Sequence, residues 1–168
     1  KVKTFHHMMD ERTQEEPRVW DLEGATHRAG FKIEELVEFV RAASPSEEDF
    51  GQAISQLHQA LDKAADKVAK KTPAQEDLVG QVDALIDTLY FTYGSFVLMG
   101  VDPERIFDIV HQANMGKIFP DGKAHFDPVT HKILKPDDWE EKYAPEPAIK
   151  KELQRQLKAY ERHKERNK

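Results

Sequence analysis

Apolar residues recur at three- and four-residue steps through Leu78, Val82, Leu85, Ile86, Leu89, Tyr93, Phe96 and Val97, the period of one broad helical face. The spacing predicts a long helix over Leu78–Met99 with that face buried, at the centre of the fold. A second core helix starts behind Asp21, a good N-cap, and Leu22, Ala25, Ala29, Ile33, Leu36, Val37, Val40 and Ala43 carry it to Ser44-Pro45. Ser46 opens a third, with Glu47, Glu48 and Asp49 in a first turn where negative charge suits the helix dipole, and Phe50, Ile54, Leu57, Leu61, Ala64, Ala65 and Val68 continue it to Lys71. Thr72-Pro73 is the expected entry into the central helix and Gly100 its expected end. Asp102-Pro103 then opens a shorter helix through Ile106, Phe107, Ile109 and Val110 to Met115.

The ends of the chain follow other patterns. Lys1 to Pro17 is polar apart from Phe5, Met8 and Met9, and reads as an arm or short helix closed by Glu15-Glu16-Pro17. Beyond Gly116, the turn Pro120-Asp121-Gly122 and short extended pieces at Ala124–Phe126 and Ile133–Leu134, around a loop at Asp127 to Thr130, predict a small hairpin. Pro145 and Pro147 mark a break. Ala148 to Lys168 is then a charged amphipathic helix with Ile149, Leu153, Leu157 and Tyr160 on one stripe, suited to packing on a partner subunit or to fraying at its end. The expected organisation is an arm over 1–20, an all-α domain over 21–145 and a C-terminal helix over 146–168. No Gly-rich phosphate loop and no series of alternating strands appears, which argues against Rossmann and P-loop folds.

Composition narrows the partners. A net charge of −6 gives no overall attraction to a nucleic-acid polymer or an anionic membrane. With no cysteine there is neither a disulfide nor thiolate chemistry. No apolar run approaches a membrane span and no signal-peptide core is present, so a soluble, cytoplasmic protein is expected. The sequence opens on Lys1 rather than Met, and a few residues are expected to precede it.

Candidate chemistry lies beside the apolar faces. On the central helix Gly80, Asp83, Asp87, Tyr90 and Gly94 form a second stripe, placing two carboxylates one turn apart. Like charges so placed repel, and a bound cation is the inexpensive way to keep both ionised, although ordinary solvated acids have the same spacing. The second helix carries Glu34, Glu35 and Glu38 in the segment EELVE, again at repelling spacings, with Arg28 and Arg41 as possible relief. A solvated face still accounts for this cluster as well, but two such clusters on two core helices are harder to dismiss. His6 and His7, as chain neighbours, face different sides of a helix and read as surface histidines. Lys117, Lys123, Lys132 and Lys135 give the segment after Gly116 the local positive field that a polyphosphate needs, while a solvated loop accounts for any one of them alone.

The order of these motifs, EELVE, then DALIDTLYFTYG, then GVDPERIFDIVHQANMGK and a DGK…KILKPDDW tail, resembles the all-α nucleotide pyrophosphohydrolases: MazG-like proteins, dimeric dUTPase-like relatives and phosphoribosyl-ATP pyrophosphohydrolase. The resemblance covers about Arg28 to Trp139. It implies an all-α helical bundle completed by dimerisation, as a homodimer or higher homo-oligomer. It also implies a Mg²⁺-dependent cleavage between the α and β phosphates of a nucleoside triphosphate, with Mn²⁺ as the substitute cation.

The family's first motif, Glu-x-x-Glu, falls on Glu35 and Glu38, with Glu34 beside them as a second-shell or general-base candidate. Its second motif, Glu-x-x-Asp, matches only at Asp87. Ala84 stands at the glutamate position, so Asp83 would have to substitute. The implied metal ligands are therefore Glu35, Glu38, Asp83 and Asp87, and Glu34 and Glu35 are the catalytic candidates. Asn114 and Lys117 fall on the family's NMxK-like pattern and imply contacts to nucleotide or phosphate. Tyr90, on the Asp87 stripe, is expected to line the pocket, Tyr93 to lie in the core, and Lys123 and Lys135 to stabilise the leaving pyrophosphate. A non-catalytic nucleotide- or metal-binding relative and a helical interaction module are the alternatives.

Overall fold

A computed structural model describes residues 1–10, 13–72, 77–129 and 132–167. The described residues form seven helices: α1 (Val2–Met9), α2 (Leu22–Ala43), α3 (Glu47–Val68), α4 (Leu78–Met99), α5 (Glu104–Met115), α6 (Trp139–Tyr143) and α7 (Glu146–Arg166). The all-α expectation holds; among the described residues the only β pairing is an isolated antiparallel bridge between Phe126 and Ile133. No helix among them is long and apolar enough to cross a membrane. The chain divides into two compact units, residues 17–85, and residues 1–16 together with 86–168.

In the 17–85 unit the helix starts are side-chain capped as the sequence requires. The Asp21 carboxylate accepts the Gly24 N–H at 2.7 Å, and the Ser46 hydroxyl accepts the Asp49 N–H at 3.1 Å, each satisfying a donor that the first helical turn leaves open. At α4 the cap is Asp77, whose carboxylate accepts the Gly80 N–H at 2.8 Å. Helix α4 thus covers the Leu78–Met99 that its apolar period predicts, and the expected entry at Pro73 lies outside the described residues. The Gln81 side-chain amide bonds both backbone groups of Trp20, each at 2.9 Å, joining the entry of α2 to the first turn of α4. Helices α2 and α3 pack as a hairpin.

In the other unit α1 packs on α5, where Lys1 pairs with Asp108, and α5 packs on α7. Gly100 ends α4 with φ of +67°, a conformation only glycine adopts cheaply. The bonds Val101 N–H to Phe96 O and Gly100 N–H to Val97 O, both 3.0 Å, complete the Schellman motif there. Asp102 then accepts the Glu104 N–H at 3.0 Å, as expected of the Asp102-Pro103 start. The Gln156 side chain of α7 holds the Asp102 backbone from both sides, at 3.0 and 2.8 Å. Helix α7 begins two residues before the expected Ala148, because Pro147 falls in a first turn whose N–H groups have no helical partner. The small hairpin is present around Phe126 and Ile133, with Asp127 N–H on Lys132 O and Leu134 N–H on His125 O. Its expected loop position Thr130 lies outside the described residues. Helix α6 has no counterpart in the sequence reading.

Burial departs most from expectation. The central helix α4 has no buried residue: Val82, Leu85, Ile86, Leu89 and Tyr93 are each about half exposed and Val97 more so. A helix apolar around much of its circumference needs neighbours on several sides, and one copy of this chain does not supply them. Among the described residues the buried apolar side chains are Met9, Ala113 and Trp139, all in the unit formed by 1–16 and 86–168.

Candidate functional site

Glu34, Glu35 and Glu38 all stand on exposed positions of α2, within three turns of its C-terminal end. Asp83, Asp87 and Tyr90 follow one another at helical steps on α4, all exposed. The expected relief of the α2 cluster by Arg41 is not what its side chain does. Arg41 pairs with Glu47 at the start of α3 and lies over the Phe50 ring, 5.0 Å from its centroid. Arg28 lies over Phe31 at 5.5 Å and sits close enough to Lys32 to add to the lowering of that amine's pKa, which partial burial starts.

Carboxylate oxygens are hard donors of the kind that Mg²⁺ takes, so the chemistry of the set fits that ion. Among the described residues, no three His, Asp or Glu side chains of one chain are gathered at metal-binding distances.

The C-terminal candidates are engaged more closely. The Lys117 ammonium donates to Asn114 Oδ1 at 2.8 Å, so these two residues form a half-buried pair at the end of α5. Lys135 places its ammonium 3.8 Å from the centre of the Trp139 ring, a cation–π contact. Lys123 is exposed, and its backbone closes the turn by donating to Asp121 and accepting from Phe119. In the same turn His125 stacks on Phe119, 4.0 Å between centroids, and pairs with Asp121 at 2.8 Å. That hydrogen bond, with the Lys123 backbone N–H and the two neighbouring charges, holds the Asp121 carboxyl below its ordinary range against the effect of desolvation.

Tyr93, expected in the core, is half exposed and lines a hollow of about 240 Å³ with Lys1, Asp102, Glu104, Phe107 and Asp108. A larger groove of about 450 Å³ follows the apolar stripe of α7 along Ile149, Leu153 and Leu157. Neither hollow is lined by Glu35, Glu38, Asp83 or Asp87, and the larger traces one helix's apolar side rather than any reactive group.

Sequence reasoning missed the support behind the Asn114–Lys117 pair. Trp139 is buried and its indole N–H donates to Ala113 O at 2.9 Å, while the Tyr143 ring lies against Gly116 so closely that a Cβ there would come within 2.4 Å of it. The available signal was a lone tryptophan closing KILKPDDW in a polar stretch, since a buried indole needs an acceptor.

Comparison with known proteins gives a consistent result. The family model of phosphoribosyl-ATP pyrophosphohydrolase matches residues 2–114. A crystal structure from Exiguobacterium sp. 255-15, of a protein described provisionally as an NTP pyrophosphohydrolase, is 41% identical. It superposes with a TM-score of 0.86 over 95% of this chain and 95% of that one. No curated protein matches.

Proposed function

Because the chain belongs to the phosphoribosyl-ATP pyrophosphohydrolase family and so hydrolyses pyrophosphate bonds, we propose that it is a Mg²⁺-dependent nucleoside triphosphate pyrophosphohydrolase, cleaving between the α and β phosphates to give a nucleoside monophosphate and pyrophosphate. The observation that carries this reading is the pair of exposed carboxylate stripes, Glu34, Glu35 and Glu38 on α2 and Asp83 and Asp87 on α4, in a chain matched over nearly its whole length by an NTP pyrophosphohydrolase-like structure.

Glu35, Glu38, Asp83 and Asp87 would hold the ion, which when bound neutralises and orients the polyphosphate and lowers the pKa of an attacking water. Glu34 would accept a proton from an attacking water, or hold Glu35 in place to do so. Lys123 and Lys135 offset charge growing on the leaving pyrophosphate, Asn114 and Lys117 bind and orient a phosphate of the substrate, and Tyr90 lines the nucleotide side. The working form is a homodimer or larger homo-oligomer. Supporting this are the uncovered apolar faces of α2 and α4, with Leu36 and Phe39 each 55% exposed, and the absence among the described residues of a complete metal-binding group within one chain. Nothing in the net charge calls for a nucleic-acid polymer or a membrane as partner, and a cytoplasmic location suits a nucleotide substrate.

The test is release of pyrophosphate from a panel of canonical, deoxy and damaged nucleoside triphosphates with Mg²⁺ and with chelator. Monophosphate and pyrophosphate in equal amounts, only with the metal, are expected. Orthophosphate and diphosphate instead would place the cut between β and γ, and no product from any member would refute the reading.

A further inference from the structure

The last turn of α5 has a specific shortage of hydrogen-bond donors. In a regular helix the Ala113 carbonyl would take the Lys117 N–H, but that N–H turns to Asn114 O at 3.1 Å, and the Ile118 N–H likewise turns to Met115 O at 3.2 Å. Ala113 O would be left buried without its helical partner. The Trp139 indole N–H takes it at 2.9 Å, from a ring that is itself only 5% exposed. One residue past the helix, the ring of Tyr143 closes on the buried backbone of Gly116 with no room for a Cβ between them. Two aromatic side chains of the five-residue helix α6 thus grip the backbone just before and just after Asn114 and Met115. On the outer side Lys135 lies over the indole face.

We infer that Trp139 and Tyr143 are positioning residues that set the tightened last turn of α5, so that Asn114 and Lys117 meet the substrate's phosphates as an already oriented pair. This rests on the pyrophosphohydrolase reading above. Neither ring touches the reacting atoms. Their effect is to fix a backbone geometry that aims the Asn114 amide and, through the 2.8 Å bond, the Lys117 ammonium. Such a device strengthens substrate binding more than it speeds bond breaking.

The experiment is a double-mutant cycle on the full-length enzyme with its best nucleoside triphosphate and Mg²⁺. Trp139→Phe keeps the ring and removes the donor. The expected result is a KM raised about 3- to 10-fold with kcat within about twofold of wild type. Asn114→Ala alone raises KM by itself, and adding Trp139→Phe to it changes nothing further, because the support then has nothing to aim. Effects that multiply independently, or an unchanged KM in folded Trp139→Phe, would overturn the inference. Should Trp139→Phe not fold, Tyr143→Ala removes a ring that is 42% exposed and enters the same cycle with the same expectation. The wild-type arm separates the two levels: an enzyme releasing no pyrophosphate removes the functional reading and this role with it, whereas an active enzyme with independent effects refutes only the positioning.

Discussion

The three 22-residue helices α2, α3 and α4 contain no buried residue, whereas α1, α5, α6 and α7, shorter or more polar, each bury one: Met9, Ala113, Trp139 and Glu152. The longer helices carry most of the exposed large apolar side chains, all four candidate metal ligands and Glu34 beside them. The others are tied by particular polar bonds, Trp139 to Ala113 O, Gln156 to the Asp102 backbone and Arg155 to Glu152. One part of the molecule is therefore self-sufficient through a few specific contacts, and the other has the sequence of a core without the burial. An apolar surface of that extent costs free energy in water, and a second copy of the same chain is the cover that we propose.

The change expected to act most strongly breaks that cover. Leu89 on α4 is 51% exposed in one chain, so Leu89→Lys should be nearly neutral in a monomer. Under a partner subunit it buries an unpaired charge. We expect sedimentation to fall from at least twice the 19.4 kDa chain mass to the mass of one chain, with turnover reduced about a hundredfold or more. A wild-type protein already sedimenting at 19.4 kDa would end the argument for assembly.

Charge without shape comes next. Asp87→Asn keeps the side chain's volume and removes the charge at the position that matches the family's second motif; turnover is expected to drop about a hundredfold or more, and stabilisation by Mg²⁺ in thermal melts to weaken sharply. Asp83→Asn, at the position standing in for the missing glutamate beside Ala84, is expected to cost about tenfold. The metal-free variants should melt at or slightly above wild type, since repulsion between the two aspartates is relieved. Unchanged turnover in Asp87→Asn would make the α4 stripe a solvated face, and equal loss in both variants would give Asp83 full ligand standing.

The same contrast explains how much was legible in the sequence. Helices α2 and α3 could be placed to within a few residues because periodicity and capping are local: Asp21 and Ser46 act on donors three residues away, and Gly100 on carbonyls in its own turn. Helix α4 also keeps the bounds Leu78–Met99 that its apolar period predicts, with Asp77 capping the Gly80 N–H three residues on. The expectation that the α4 face would be buried failed for one chain because periodicity reports that a face is apolar and does not say which molecule covers it. Helix α6 went unseen because five residues carry no period, and its reason for forming lies 26 residues away at Ala113. Candidate residues could be named from motif order, but the Asn114–Lys117 pair and the Lys135–Trp139 contact are tertiary facts.

The smallest expected effect tests the self-sufficient part of the molecule through pH. Glu152 on α7 is 8% exposed and accepts two hydrogen bonds from Arg155, at 2.7 and 2.6 Å, and a third from Gln156 at 3.0 Å. These bonds, Arg155's first and then Gln156's, with the charges of Arg155 and Arg105, hold its pKa down at about 2 from an ordinary 4.5, against the opposing effect of desolvation. The unfolded chain binds the proton more readily than the folded one. The stability that Glu152 contributes is therefore fully present above about pH 4.5 and is lost as the pH falls towards 2. Glu152→Gln cannot ionise, so it lacks this dependence while leaving Gln156 free to hold Asp102. Its melting temperature should lie below that of wild type at neutral pH, and the gap should close progressively between about pH 4.5 and pH 2. Curves that stay parallel through that window would mean that the Glu152 carboxylate is no better held in the folded protein than in the unfolded one. Because α7 carries no candidate metal ligand, the variant should keep its Mg²⁺-dependent turnover at neutral pH, which separates this anchoring contact from the site.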